Sequence, residues 1–275
     1  MQRRWLSQAA FAVIALSLVG GCATPDKHGQ TAVVQDDNDP FEPVNRKIWD
    51  FDLTLDRFLL KPIALGYRDY TPSFARTGLT NALNNLKSPV IMANDLLQGN
   101  GDRFGQTLSR LAVNTFFGFG GVVDVAAKHG VPRHDADFGQ TLGVWGVEPG
   151  PYLVLPLLGP SDPRDGIGYG VESFADPFSV EMRAHGYDEG DYIRWGLTVV
   201  SDRAATIDQL DQVKQESLDF YAAIRSLYLQ QRAAAVAIAK SGGATPTPDL
   251  SSEIDPDAPS PSRPPAAPAP ADKVK

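Results

Sequence analysis

The sequence has one cysteine in 275 residues, Cys22, and only four histidines. A single thiol cannot build an internal disulfide framework or a cysteine-rich zinc site, so that residue needs its own explanation. Basic charge is scarce too, with 25 Lys and Arg against 33 Asp and Glu and a formal net charge of −8. Binding nucleic-acid phosphates needs clustered cations that release counterions, so no nucleic-acid partner is expected. Catalytic signatures are missing: neither a G-x-S-x-G nucleophile elbow nor a G-x-x-x-x-G-K-[ST] phosphate loop occurs. His129 and His134 lie five apart across Gly130 and Pro132, near Asp135 and Asp137. They lack the H-E-x-x-H spacing and an evident fourth ligand, so a solvated polar loop is expected, with no metal and no cofactor. Asp50 and Asp52, near Asp56, fall on different faces of a helix and are read as surface charges rather than an acid-base pair. The period-two alternation of half-buried strands is almost absent along the chain.

What is present begins at the N-terminus. Arg3 and Arg4 precede a mostly apolar stretch from Leu6 to Val19, and Gly20 and Gly21 stand before Cys22. Basic residues, a short apolar run, small residues and a lone cysteine together describe a secretory signal peptide over 1–21, with a lipobox-like site cleaved before Cys22 and acylation of its thiol. Acyl chains contribute roughly 0.8 kcal/mol per buried CH₂, so more than one makes a firm anchor without a membrane span. Ala23, rather than Asp, after the cysteine is similar to the sorting pattern of outer-membrane rather than inner-membrane lipoproteins. Residues 22–38 are polar and end in acidic residues, as a flexible tether would. Beyond 240 the chain is Pro, Ala, Ser and Asp, too poor in apolar residues to fold, and 241–275 is expected to be a disordered tail. With 43% hydrophobic residues, the remaining 39–240 can form one main domain.

That domain reads as helical. Val44, Ile48, Phe51, Leu55 and Phe58 recur at helical spacing after Pro43, with Trp49 and Leu53 on a second face, so both faces need a cover. Thr71-Pro72 opens a second helix, and Ser88-Pro89 opens a third that closes at Gly99. Asp102 is placed to cap a fourth and Asp124 a short fifth. Asp135 to Val144 is a short helical candidate. Tyr152 to Leu158 is an apolar run broken by Pro156, which suits an edge strand or an extended membrane-facing segment. Asp162-Pro163 opens a glycine-rich, weak helix with one close-packing face. Asp191 to Val200 suggests a short helix, and Ser201 is the expected cap of the clearest helix, running through Tyr228 into the Ala-rich 233–239.

The stretch Asn114–Asp124, NTFFGFGGVVD, stands apart. Phe116, Phe117 and Phe119 each gain roughly 2–3 kcal/mol if buried, while Gly118, Gly120 and Gly121 each weaken a regular element by roughly 0.5–1 kcal/mol relative to Ala. Two readings are open: a buried tight turn whose glycines let core helices pack closely, or an apolar loop that moves or lines a passage for something apolar.

Several ordered motifs then agree. DPFEPVNRKIWDFD from Asp39, RDY from Arg68, RTGLTNALNNLKSP from Arg76, LLQG from Leu96, NTFFGFGGVVD, FGQTLGVWGV from Phe138 and GPYLVLPLLGPSDPRD from Gly150 together resemble the MlaA (VacJ) family of outer-membrane lipoproteins over roughly Asp39 to Tyr228. The resemblance implies an all-α, ring-shaped, donut-like domain in the periplasmic leaflet of the outer membrane, with a central amphipathic channel. It implies removal of mislocalised phospholipid from the outer leaflet, without covalent chemistry, and transfer to a soluble periplasmic carrier of the MlaC kind, beside a trimeric porin. Phe116, Phe117, Gly118, Phe119, Gly120 and Gly121 become a candidate lipid gate. Asn45, Phe51, Asp52 and Leu53 match a family segment associated with channel control. Val44 departs from the aromatic residue common before Asn45, and the Pro-rich tail is not general to the family. A structural lipoprotein that scaffolds a porin or envelope complex without moving lipid is the alternative, and a lipid hydrolase lacks a credible nucleophile.

Overall fold

A computed structural model describes residues 39–243, the side chain of Asp188 apart. Cys22, the expected signal peptide and tether, and the tail beyond 243 lie outside the described residues. Within them the regular secondary structure is helical except for one two-stranded hairpin.

Helix α1, Glu42–Leu55, continues through a π turn, Asp56–Leu60, into α2, Lys61–Tyr70. The sequence alone places the helix only as far as Phe58. Pro62 cannot donate to a carbonyl four residues back, and just before it the ladder widens, so that the Lys61 N–H reaches Asp56 O, five back. Asp56 receives Arg203 Nε at 2.7 Å, and Lys61 Nζ reaches Asp211 at 2.7 Å. These pairs tie this long element to α9, Asp188–Glu216.

The expected break at Ser88-Pro89 is absent. Helix α3 runs unbroken over Ser73–Leu97 with Pro89 inside it, although an interior proline costs about 3 kcal/mol. Packing on both sides of Pro89 overrides that cost: Asn85, Ser88, Ile91, Asn94 and Asp95 are all buried. A tight turn leads to α4, Gly101–Phe117. Its cap is Asn100, whose side chain accepts from the Arg103 N–H at 3.3 Å, while the expected cap Asp102 sits in the first turn. Side-chain contacts pair residue 95 with 107, 85 with 115 and 81 with 122, so α3 and α4 lie antiparallel.

Asp124 caps α5, Val125–Lys128, accepting from the Ala127 N–H at 3.0 Å. Helix α6, Phe138–Val144, starts at Asp137 rather than Asp135, because Asp137 accepts from the Gln140 N–H at 2.7 Å. Strands β1, Leu153–Leu155, and β2, Gly159–Ser161, pair antiparallel with Leu153 opposite Ser161. Pro156 falls in the connecting turn, where no ladder donor is needed. Helix α7, Pro163–Ala175, is capped by Asp162, and α8, Pro177–Ala184, by Asp176. A Cβ on Gly168 would lie 2.4 Å from Gly139 N, so α7 and α6 meet backbone to backbone at that point.

Ser201 caps nothing. It is buried in the middle of α9, 2.9 Å from the Thr80 hydroxyl, and the expected helix 191–200 is simply the front of the same element. The break comes instead at residues 217–219, after which Asp219 caps α10, Phe220–Ser241.

Packing is inverted relative to an ordinary globular domain. Among the described residues ten apolar side chains are buried against twenty polar or charged ones, while large apolar residues are exposed on almost every helix. The apolar clusters are small: Ala64, Ala204 and Ile207 at the contact of α2 with α9, and Tyr152, Val154 and Tyr221, joined by Ile48 and Trp49, where α1, the hairpin and α10 meet. Ile48 thus belongs with Trp49, while Val44, Phe51 and Phe58 are exposed. No described helix is long and apolar enough to cross a membrane.

Candidate functional site

Helix α4 buries Arg103, Thr107, Arg110 and Asn114, a stripe at spacings of four, three and four. That is the cadence of a core-facing helix, carried entirely by polar side chains. Opposite it, α3 offers Asn81, Asn84, Asn85 and Ser88. Between the stripes and the loop 124–134 lies a cavity of about 440 Å³, whose only large apolar contributions come from Ile91, Val131 and Pro132.

The stretch Asn114–Asp124 forms one end of this cavity. Asn114 Nδ2 donates to Asp124 Oδ1 at 3.0 Å, and Asn114 Oδ1 accepts from the Ala126 N–H at 2.9 Å. Arg110 bridges the Val131 carbonyl and Asp124 Oδ2. Burial alone would raise the Asp124 pKa, but the Ala127 N–H, Arg110 and Asn114 outweigh it and hold the carboxyl below the usual carboxylate range. From α3, Asn81 Nδ2 donates to Val122 O at 3.2 Å, and Asn85 Nδ2 donates to Thr115 Oγ1 at 3.0 Å and Gly120 O at 3.4 Å.

With its ends fastened by polar groups, the stretch turns its rings outward. Phe116, Phe117 and Phe119 are 81%, 74% and 85% exposed, so this is not a turn buried in an apolar core. Phe119 and Gly120 both have positive φ, 53° and 71°. Of the candidate gate glycines, Gly118 and Gly121 are jammed: a Cβ on Gly118 would lie 2.2 Å from Val123 O, and one on Gly121 2.4 Å from Asn85 Cβ. Gly120 has nothing within 4 Å.

Asn45, Phe51, Asp52 and Leu53 have different neighbours. Asn45 Nδ2 donates to Tyr152 O at 3.0 Å and its Oδ1 accepts from the Val154 N–H at 3.0 Å, so the amide pairs with the hairpin backbone as a neighbouring strand would. It also donates to Asp39 Oδ1 at 2.7 Å, and Asp39 in turn accepts from Tyr221 and Arg225. Two turns along α1, Asp52 Oδ1 accepts from the Leu157 N–H at 2.9 Å at the hairpin tip, where Leu157 has φ 68°. Burial raises the Asp52 pKa, opposed by that N–H. Phe51 is exposed, and Leu53 is half-buried.

The histidines differ from expectation. His129 is exposed, but His134 is buried, with Nε2 2.9 and 3.0 Å from the carboxylate oxygens of Asp95, which also accepts from Thr107. No group of three or more metal-ligating side chains occurs among the described residues. Sequence reasoning missed the cavity residues Arg110, Arg133, Asn84 and Asn85. The signal available was the polar stripe 103/107/110/114 and the density of asparagine in NALNNLKS.

Buried polar stripes, exposed aromatic rings and a mainly helical architecture among the described residues fit the class of membrane-associated helical proteins. The profile of the MlaA lipoprotein family matches residues 37–235, and the chain belongs to that family. It is 33% identical over 228 residues to the "Intermembrane phospholipid transport system lipoprotein MlaA" of Escherichia coli, covering 78% of this chain and 83% of that one. The protein of the same description from Haemophilus influenzae is 32% identical over 234 residues, covering 84% and 89%. A solved structure reported under "Structural basis for maintenance of bacterial outer membrane lipid asymmetry" aligns with a TM-score of 0.62 at 33% identity, covering 72% of this chain and 98% of that chain.

Proposed function

We propose that this protein is an outer-membrane lipoprotein that takes mislocalised phospholipid from the outer leaflet and passes it to a soluble periplasmic carrier. The inverted packing carries this reading. A protein in water buries apolar and exposes polar side chains, whereas here Arg103, Arg110 and Asn114 are inside and Phe116, Phe117 and Phe119 outside. Such a surface suits acyl chains, and such an interior suits the passage of a polar headgroup. The E. coli and H. influenzae relatives, named for intermembrane phospholipid transport, support the same assignment.

In this proposal Cys22 carries the acyl anchor, the helices enclose an amphipathic path in the periplasmic leaflet, and a trimeric porin and an MlaC-like carrier are the protein partners. No covalent step is needed. Phe116, Phe117 and Phe119 guide the chains, and gating motion is centred on Phe119-Gly120, where the ring is exposed and a Cβ on Gly120 would meet nothing within 4 Å. Asn45 and Asp52 control the path through the hairpin they hold, with Phe51 exposed beside them and Leu53 half-buried. The test is gentle detergent extraction followed by mass spectrometry. Phospholipid recovered in stoichiometric amount is the expected result; recovery of the protein and porin without lipid would favour a scaffold, and release of fatty acid would reveal an enzyme.

A further inference from the structure

The cavity behind the phenyl-bearing turn has chemistry that the transport reading does not itself specify. Its 440 Å³ falls in the range of ligand pockets, about 300–1,000 Å³. Two of its features select the charge of an occupant. Both oxygens of the carboxylate in its wall, Asp124, are committed: Oδ1 to Asn114 and the Ala127 N–H, Oδ2 to Arg110. No acid there is free to receive a cation. Behind the opposite wall, Arg133 shares the carboxylate of Asp135 with Lys87, at 3.1 and 3.3 Å. Among the residues that line the cavity, two cations, Arg110 and Arg133, face one acid, Asp124.

Donors are available as well. Arg110 commits two of its five N–H groups to Val131 and Asp124. Asn84 lines the cavity, and its side-chain amide makes no hydrogen bond among the described residues, although its backbone carbonyl accepts from Ser88. Arg133 is half-buried at the same wall. Planar guanidinium groups and amides are the donors that recognise phosphate oxygens.

We propose that this cavity seats the phosphate ester of a phospholipid headgroup, held by Arg133, Asn84 and Arg110, while the acyl chains lie outside it along Phe116, Phe117 and Phe119. One loop supplies both halves of the site: its ends, Asn114 and Asp124, line the cavity, and its middle carries the exposed rings. The proposal rests on the transport reading for the identity of the ligand and adds the place and chemistry of headgroup binding.

The experiment uses the full-length protein in detergent and measures binding of dihexanoyl phosphatidylethanolamine, glycerophosphoethanolamine and inorganic phosphate by calorimetry. The wild type, Arg133→Gln, Asn84→Leu and Arg133→Lys are compared. The short-chain lipid is expected to bind most tightly, and Arg133→Gln and Asn84→Leu are each expected to weaken it at least about tenfold. Arg133→Lys keeps the charge but loses the planar fork, and is expected to bind more weakly than the wild type and more tightly than Arg133→Gln. Lipid binding unchanged in both Arg133→Gln and Asn84→Leu overturns the headgroup site and leaves the transport reading standing. Inorganic phosphate binding as tightly as the lipid makes this a free-phosphate site and overturns the proposal. A wild type that binds no phospholipid overturns the transport reading and this site with it.

Discussion

Gly118, Gly120 and Gly121 lie within four residues of one another and meet different constraints. Gly118 allows the backbone of α4's end to approach Val123 O, Gly121 allows the loop to touch Asn85, and Gly120 supplies a positive φ in open space. Alanine at Gly120 is expected to cost about 1 kcal/mol, the strain of a left-handed residue. At Gly121 the same strain is joined by overpacking against Asn85, adding about 1–3 kcal/mol. Urea unfolding of the two variants gives the comparison, and equal midpoints would contradict it. Valine at Gly121 is therefore no clean probe of gating, since it also disturbs the fold. The phenyl rings behave differently. Replacing Phe116, Phe117 and Phe119 together with Ser is expected to leave unfolding free energy within about 0.5 kcal/mol per site, because exposed side chains contribute little to the fold. With the acyl anchor removed by Cys22→Ala in both proteins, co-flotation with phospholipid vesicles is expected to fall sharply when the three rings are replaced.

At the scale of elements, the buried amide of Asn45 does for the hairpin what a third strand would do. Asn45→Ala leaves the Val154 N–H and the Tyr152 carbonyl without partners, at a cost of about 1–3 kcal/mol. Hydrogen exchange over residues 152–161 is expected to accelerate; unchanged protection there would refute the role given to Asn45. Some elements were legible in the sequence from a cap or a glycine: Asp124 and Asp162-Pro163 stand where expected, and of the α7 glycines Gly168 makes the close contact. They were illegible where burial was polar. The buried stripe of α3 is Gly78, Asn85, Ser88, Ile91, Asn94 and Asp95, so apolar periodicity traced the wrong face and Pro89 passed for a boundary. Ser201 misled in the same way, since its hydroxyl serves Thr80 across a helix contact rather than a helix end. The turn at 114–124 was found from composition, but its direction was not, because a phenylalanine has the same burial incentive whether the apolar phase is core or lipid.

The described residues bury more polar and charged side chains than apolar ones, so the ionisation of buried carboxylates bears on their stability. Asp135 shows the consequence. Burial would raise its pKa, but Lys87 and Arg133 lower it to about 2. A folded pKa below the unfolded value of about 3.9 gives stability that is complete above pH 4 and is lost as the pH falls toward 2. The melting temperature of the wild type is expected to drop across that window, and Asp135→Asn to show a smaller drop from a lower starting point. Carriage of phospholipid is tested by transfer of a labelled phospholipid from outer-membrane-like vesicles holding the protein and a trimeric porin to a soluble periplasmic carrier. Transfer that depends on the protein and is lost when Phe116, Phe117 and Phe119 become Ser is the predicted result; equal transfer with and without the protein would contradict the account.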